Sequence, residues 1–204
     1  MEAPEMPGAK LAEDERQEQL LRAAYVVAAR DGLDQVTARR VAAEAGASPG
    51  LIYFHFGTME HLVVILLDHL LAAALDAEVT PAIAALPTAT DRLQAMLDEE
   101  IRGLPEQLVA VDLFFSFWFG SRRPEFRERI NAALLRYQRV FEGVCTGVLA
   151  EWGDPEGVTP TALAELVVAF VQGAAVQMLR NPGAFDVRAM TAAAHALLRS
   201  RLAA

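Results

Sequence analysis

Apolar residues recur at three- and four-residue spacing along almost the whole of this chain, and alternating, strand-like stretches are nearly absent. That period belongs to helices with one buried face, so it excludes sheet architectures and predicts an all-α fold. Turn and cap residues divide the pattern into about nine helices. Leu20, Leu21, Ala24, Val27 and Ala28 form one stripe of a first helix over 12–31, stopped by Asp31-Gly32. Thr37 caps a short helix over 38–45, ended by Gly46, and Ser48-Pro49 opens a second short one to about Phe54. Thr58 caps a long helix from Met59 into the seventies, with Glu60 well placed near its start. Pro81 and Pro87 bracket a connection. Thr90-Asp91 starts a helix to about Arg102, and Gly103-Leu104-Pro105 starts a separate one to Gly120. Pro124 opens a long helix towards Trp152, and EWGDPEGVTP is a loop by its Gly, Asp and Pro content. Thr159-Pro160 opens a helix to Arg180, and the last fills 186–202.

Composition removes several functional classes. Of the 204 residues 53% are hydrophobic, ample for a core, and 22% are charged, which excludes a disordered chain. The single cysteine, Cys145, makes an intrachain disulfide or a cysteine-based zinc site impossible. Set mid-helix among Val144, Val148 and Leu149, it reads as a small buried hydrophobe rather than a redox sensor. The start, MEAPEMPGAK, lacks the basic-then-apolar order of a signal peptide, and residues 1–10 are expected to form a disordered tail. Asp112, Glu165 and Gln172 interrupt the most apolar stretches, so no membrane span and a cytoplasmic location are expected. HExxH, P-loop, GxSxG and Gly-rich dinucleotide motifs are missing, and His55, His61, His69 and His195 show no metal-ligand spacing. The expectation is a protein that is not an enzyme and that carries no cofactor or metal.

The informative stretch is VTARRVAAEAGASPGLIYFHF, residues 36–56. Two helices of about seven residues joined by a Gly-bearing turn have the proportions of a helix-turn-helix. A short helix opened by Ser48-Pro49 offers free N–H groups to a phosphate, and Gly50 lets backbone approach backbone. Tyr53 and Phe54, near its end, can stack on sugar or thymine methyl groups. Arg39 and Arg40 lie in the supporting helix, within reach of phosphates or groove edges unless they form a solvated face. Global charge opposes this reading. Eighteen basic against twenty-seven acidic residues give −9, and residues 10–62 alone carry six against eight. Any DNA contact must therefore be local, though every basic residue except Lys10 is arginine, the better bidentate partner.

At these residues the chain resembles the TetR family of one-component transcriptional regulators. The family pattern appears as Thr37, Val41-Ala42, Ala45-Gly46, Ala47-Ser48, Gly50, Tyr53-Phe54-His55-Phe56 and Glu60-His61-Leu62. RAAYVVAARDGLDQVT, residues 22–37, is similar to the family's first helix and its Gly-bearing turn. The resemblance implies a head over 11–57 that binds a double-stranded DNA operator through Thr37, Arg39, Arg40, Ser48, Pro49, Gly50, Tyr53, Phe54 and His55. Phe56 reads instead as part of the head's small core. Met59 stands where the family usually has a phosphate-touching lysine, and Leu51 where a hydroxyl residue is common. Each removes a polar contact, so modest affinity and strong salt sensitivity are expected.

The resemblance further implies that residues 58–204 hold an effector and dimerise. VDLFFSFWFG, residues 111–120, is apolar on almost every side and is expected to be buried all round. Met96, Glu100, Phe115, Trp118, Phe119, Tyr137, Phe141 and Gln172 are the expected lining of a pocket for a small organic effector, aromatic or cationic; the alternative for each aromatic is plain core packing. Glu100 and Asp112 are either solvated or, if buried, in need of a partner such as Arg136 or a cationic ligand. FWFGSRRPEFRERI, residues 117–130, is similar to the branch of the family that includes choline-responsive repressors, which suits an acidic, aromatic-lined pocket. The last two helices are rich in small residues, Gly173 and Ala192 to Ala194 among them, and are the expected homodimer interface. The resulting expectation is a repressor released from its operator by its effector. The rival is a helical, ligand-binding homodimer that has lost operator recognition.

Overall fold

The computed structural model describes residues 7–120 and 123–200, and among them every regular element is helical. Nine α-helices follow in order: α1 (Pro7–Asp31), α2 (Ala38–Glu44), α3 (Pro49–Phe56), α4 (Met59–Ala74), α5 (Pro81–Ala84), α6 (Ala89–Gly120), α7 (Pro124–Glu151), α8 (Pro160–Arg180) and α9 (Val187–Ser200). A single 3-10 turn, Leu33–Gln35, stands between α1 and α2. The expected all-α class is therefore present, but two divisions differ. The connection expected after Pro81 contains the short helix α5, capped by the Thr80 hydroxyl, which accepts from Ile83 N at 3.3 Å. The two helices expected over 90–120 are one, and Pro105 lies inside it. Proline removes one backbone hydrogen bond, an interior cost of about 3 kcal/mol. Ile101 and Leu104, buried on the inner face, hold the helix through that point.

Several caps fall where short polar side chains precede apolar runs. The Thr37, Thr58 and Thr159 hydroxyls accept from Arg40 N, His61 N and Ala162 N at 3.4, 3.1 and 3.1 Å. At α6 the cap is Thr88, which accepts from Asp91 N at 2.9 Å, and not Thr90. Thr90 is buried instead, its hydroxyl donating to Glu151 Oε2 at 2.7 Å. The tail expected over 1–10 is helical from Pro7; residues 1–6 and the expected end of the last helix, 201–202, lie outside the described residues.

The chain divides into two compact units. One holds the described residues up to Leu71 together with Leu113–Arg127; the other holds Ala72–Asp112 and the described residues from Glu128 onward. In the first unit Leu20, Ala24 and Val27 of α1, Val41 of α2, Ile52 and Phe56 of α3, and Leu62 and Leu66 of α4 are all buried. Phe56 thus takes the core position expected for it. The core of the second unit joins Leu93, Met96 and Leu97 of α6, Tyr137, Phe141 and Val148 of α7, and Ala164, Val167 and Val171 of α8. Gly147 lets α6 and α7 close up, since a Cβ there would meet that of Ala89 at 2.7 Å. By length and composition α8 could cross a membrane, yet Leu163, Val167, Val168 and Val171 spend its apolar side on this core. Cys145 is fully buried in the same core, as its neighbours in sequence suggested.

Candidate functional site

The geometry of α2 and α3 follows from their short sequences. Val41 and Ala42 bury one side of α2, and Ile52 and Phe56 one side of α3. Between the two helices Gly46 takes φ +62°, a left-handed conformation that favours glycine. The turn is closed by Ala47 N donating to Ala42 O at 2.8 Å. Gln19 of α1 adds its amide, donated to Ala45 O at 2.9 Å, so the helix-turn-helix is pinned from both sides. At Gly57, with φ +71°, the chain turns again, and α4 leaves at 70° to α3.

What this packing leaves outside is the face the sequence picked out. Tyr53 is 51% exposed and Phe54 76%, large rings that a lone chain would normally bury. His55 is half-buried and meets Phe54 edge-on, with 5.1 Å between centroids. Ser48 occupies the N-cap position with extended backbone, but its hydroxyl makes no capping bond and is left for another partner. Pro49 is the first helical residue, and Gly50 is exposed. The nearest atom to a Cβ on Gly50 would be Ser48 Oγ at 3.9 Å, so nothing within the chain demands glycine there. Glu13 and Arg16 of α1 border a shallow groove of about 610 Å³ with Ser48, Gly50, Leu51, Phe54 and His55. These two flanking residues were not singled out in the sequence, because nothing in a 30-residue separation signals that α1 reaches α3.

The two arginines of α2 part company. Arg39 is exposed and has no ion pair among the described residues. Arg40 donates to Asp31 Oδ2 at 3.0 Å, and Asp31 is shared with Arg30, which also reaches Glu44 at 2.9 Å. The hydrogen bond from Arg30, aided by both guanidinium charges, holds the Asp31 carboxyl below its ordinary range against the opposing effect of burial.

The eight expected effector residues are divided between the two units. Met96, Tyr137 and Phe141 are buried in the core of the second unit, where Tyr137 and Phe141 meet edge-on at 5.1 Å. Tyr137 donates its hydroxyl to Glu100 Oε2 at 2.7 Å. Burial pushes the Glu100 carboxyl upward, the Tyr137 hydrogen bond opposes it, and Glu99 and Asp76 add to the rise. Burial and that carboxylate push the Tyr137 phenol well above its ordinary value, so it stays a donor. Gln172 is partly exposed on α8, and Asp112 and Arg136 are exposed, so the partner of Glu100 is a phenol and not a guanidinium. Phe115, Trp118 and Phe119 belong to the first unit. Their rings stack nearly parallel, at 5.6–6.1 Å and 3–11°. Phe119 is 75% exposed, which overturns the expectation that 111–120 is buried all round. The inner face of this stretch is filled by Phe114 and by Phe117, which packs on Phe126 at 5.3 Å, and the remaining rings cover one another instead.

A polar cluster in the second unit also escaped the sequence. Gln94 and Asp98 of α6 face His195 and Arg199 of α9, each pair four residues apart on its helix. His195 Nε2 lies 2.8 Å from Asp98 Oδ1, but neither atom completes an aligned hydrogen bond. The shared i,i+4 spacing was the only signal, and it is equally common on solvated faces. Among the described residues no group of three or more His, Cys, Asp or Glu side chains is arranged to hold a metal.

Comparison with known proteins agrees with this geometry. Residues 20–64 match the family model of bacterial regulatory proteins of the tetR type, and residues 89–203 that of the BetI-type transcriptional repressor C-terminal region. Over 130 residues the chain is 26% identical to the HTH-type transcriptional regulator BetI of Stenotrophomonas maltophilia (strain R551-3), spanning 64% of this chain and 65% of that protein's length. Among solved structures, a putative transcriptional regulator from Pseudomonas aeruginosa PAO1 superposes with a TM-score of 0.78 at 22% identity, covering 93% of this chain and 91% of that one. FadR from Bacillus subtilis in complex with stearoyl-CoA gives 0.71 at 20% identity, over 89% and 96%. A putative regulator from Saccharomonospora viridis in complex with choline gives 0.67 at 22%, over 92% and 95%. At such identities these likenesses show a shared fold.

Proposed function

Because this chain belongs to the TetR family of bacterial regulatory proteins, we propose that it is a repressor whose α3 enters the major groove of an operator and which a small organic effector releases. One observation carries the reading. A helix-turn-helix that buries Val41, Ala42, Ile52 and Phe56 leaves Tyr53, Phe54 and a Ser48 hydroxyl without a capping bond exposed. Phosphates find the N-terminus of α3, and the rings reach sugar and base edges. Residues 11–57 act as the head and 58–204 as the effector-binding and dimerising part.

Operator binding needs two heads about 34 Å apart, one per major groove, hence a symmetric dimer. The exposed side of α8 suits that contact, with Leu166 66% exposed and small Ala169 and Gly173 beside it, and α9 adds Leu197, 71% exposed. We place effector recognition at Glu100, Tyr137 and Phe141, where a half-buried carboxyl among aromatic rings suits an organic cation. The choline complex of a similarly folded regulator is consistent with that class. Effector binding shifts the dimer between two head spacings by its differential affinity for them.

The rival, a ligand-binding dimer without operator recognition, draws on one observation: Arg40 is tied to Asp31 in a chain of net charge −9. A fluorescence-anisotropy titration separates the two. With a duplex from immediately upstream of the chain's own gene, at low and moderate salt, saturable binding weakened by Tyr53→Ala and Phe54→Ala supports the regulator. Each substitution should cost about 1–3 kcal/mol if the ring touches base or phosphate. Only weak binding, indifferent to both substitutions, supports the rival. In the same assay choline and stearoyl-CoA serve as effector probes, and release by choline alone supports the cationic class.

A further inference from the structure

We propose that the Asp31 carboxylate is a restraint on DNA binding, holding Arg40 away from the operator phosphates that this guanidinium would otherwise engage. The inference rests on the regulator reading above and adds a residue that sets the strength of its DNA contact. Arg40 follows directly on the start of α2, three residues beyond the Thr37 cap, and its side chain is 45% exposed. Such a position is within reach of a backbone phosphate, yet the guanidinium is turned onto Asp31 Oδ2 at 3.0 Å. Asp31 closes α1, and Arg30 grips both its oxygens at 3.1 Å while also binding Glu44 at 2.9 Å. The carboxylate is thus held from behind by a second arginine and presents its remaining lone pairs to Arg40.

Two features make the pair adjustable. An exposed ion pair is weak, so a phosphate competes with Asp31 on nearly equal terms. Asp31 also lines a cavity of about 590 Å³ with Leu33, Gln35, Val63, Phe117 and Phe126. Movement of the α6 end or of the 31–35 turn around that cavity alters where the carboxylate sits, and with it whether Arg40 is held.

The test is a double-mutant cycle on the full chain with Asp31→Asn and Arg40→Gln, using the same upstream duplex across a salt series. Asp31→Asn keeps the size and much of the hydrogen bonding of Asp31, and its melting temperature confirms folding. The expected result is tighter binding, by up to about fivefold, with the slope of log affinity against log salt steeper by about 0.9 for one added phosphate contact. Both gains should vanish in the Asp31→Asn, Arg40→Gln double variant. Wild-type binding that Asp31→Asn leaves unchanged or weakens overturns the proposal while leaving the regulator intact. So does a gain that survives Arg40→Gln, which would reflect only the lost negative charge. If neither wild type nor Asp31→Asn binds the duplex, the regulator reading fails and takes this proposal with it.

Discussion

Glu100 is costly to the fold, and replacing it by glutamine should make the protein more stable at neutral pH. The carboxyl lies partly buried in the second unit and takes one hydrogen bond, from Tyr137 at 2.7 Å. Burial, with Glu99 and Asp76 behind it, raises its folded-state pKa above the unfolded one. The sign follows. Below the unfolded value, near 4.3, the group is protonated in both states and costs nothing; as pH rises through the raised folded value, the charged form must be desolvated and stability is lost. Glutamine keeps an acceptor for the Tyr137 hydroxyl and carries no charge. A buried polar group with poor compensation costs about 1–3 kcal/mol. Glu100 is only partly buried and retains one strong partner, so about 1 kcal/mol is expected. For a chain of this size that is about 2–4 °C in melting temperature. Thermal unfolding by circular dichroism at pH 4 and pH 7.5 should show Glu100→Gln melting higher at pH 7.5 and level with wild type at pH 4. Equal gains at both pH values, or a loss at pH 7.5, would refute the desolvation reasoning. If the proposed effector site is right, calorimetry with choline should show binding by wild type that Glu100→Gln weakens.

Three other outcomes follow from the same packing. Glu151 accepts from Ala89 N, Thr90 N and the Thr90 hydroxyl at the start of α6, so Glu151→Ala should lower stability by about 1–2 kcal/mol in urea titrations at pH 7. Burial pushes this carboxyl up, but the three hydrogen bonds together hold it below its ordinary value. Its contribution is therefore complete above the unfolded value and lost as pH falls through the folded one, and the gap between variant and wild type should close in acid. Leu166→Glu with Leu197→Glu should keep the helical circular-dichroism spectrum of wild type, since both side chains are exposed in the single chain, while sedimentation velocity shows monomers, the melting temperature loses its dependence on protein concentration and operator binding falls away. Cys145, with its thiol pushed up to about 12 by burial and by Glu142, should resist a thiol reagent in the native state and react fully once unfolded.

The period of the apolar residues was enough to read the class and most helix boundaries, because each helix buries one face and its caps are short-range. It failed at Pro105, where the local breaker signal was outweighed in a helix that buries Ile101 and Leu104 just ahead of the proline, a burial the local pattern does not reveal. In the helix-turn-helix, Phe56 inside and Tyr53 and Phe54 outside were legible, since eight residues of helix leave few ways to divide apolar from presented positions; Ile52, equally buried, was not singled out. The commitment of Arg40 to Asp31 was not legible: either arginine of α2 had the right chemistry, and only the fold determines which one meets a carboxylate. Likewise five aromatics in six positions promised burial, but a helix has two sides, and Phe119 falls on the one left uncovered. For Glu100 the sequence offered solvent, an arginine such as Arg136 or a cationic ligand, because charge attracts charge; within the chain the structure supplies a tyrosine hydroxyl from α7.

The most direct test of the central claim is a hydroxyl-radical footprint of the wild-type protein on the DNA upstream of its own gene. A dimer that sets two α3 helices into successive major grooves should protect two half-sites with centres about 10 base pairs, or a multiple of that, apart. Complete absence of protection, or one unbroken stretch that shifts with fragment length, would contradict the account.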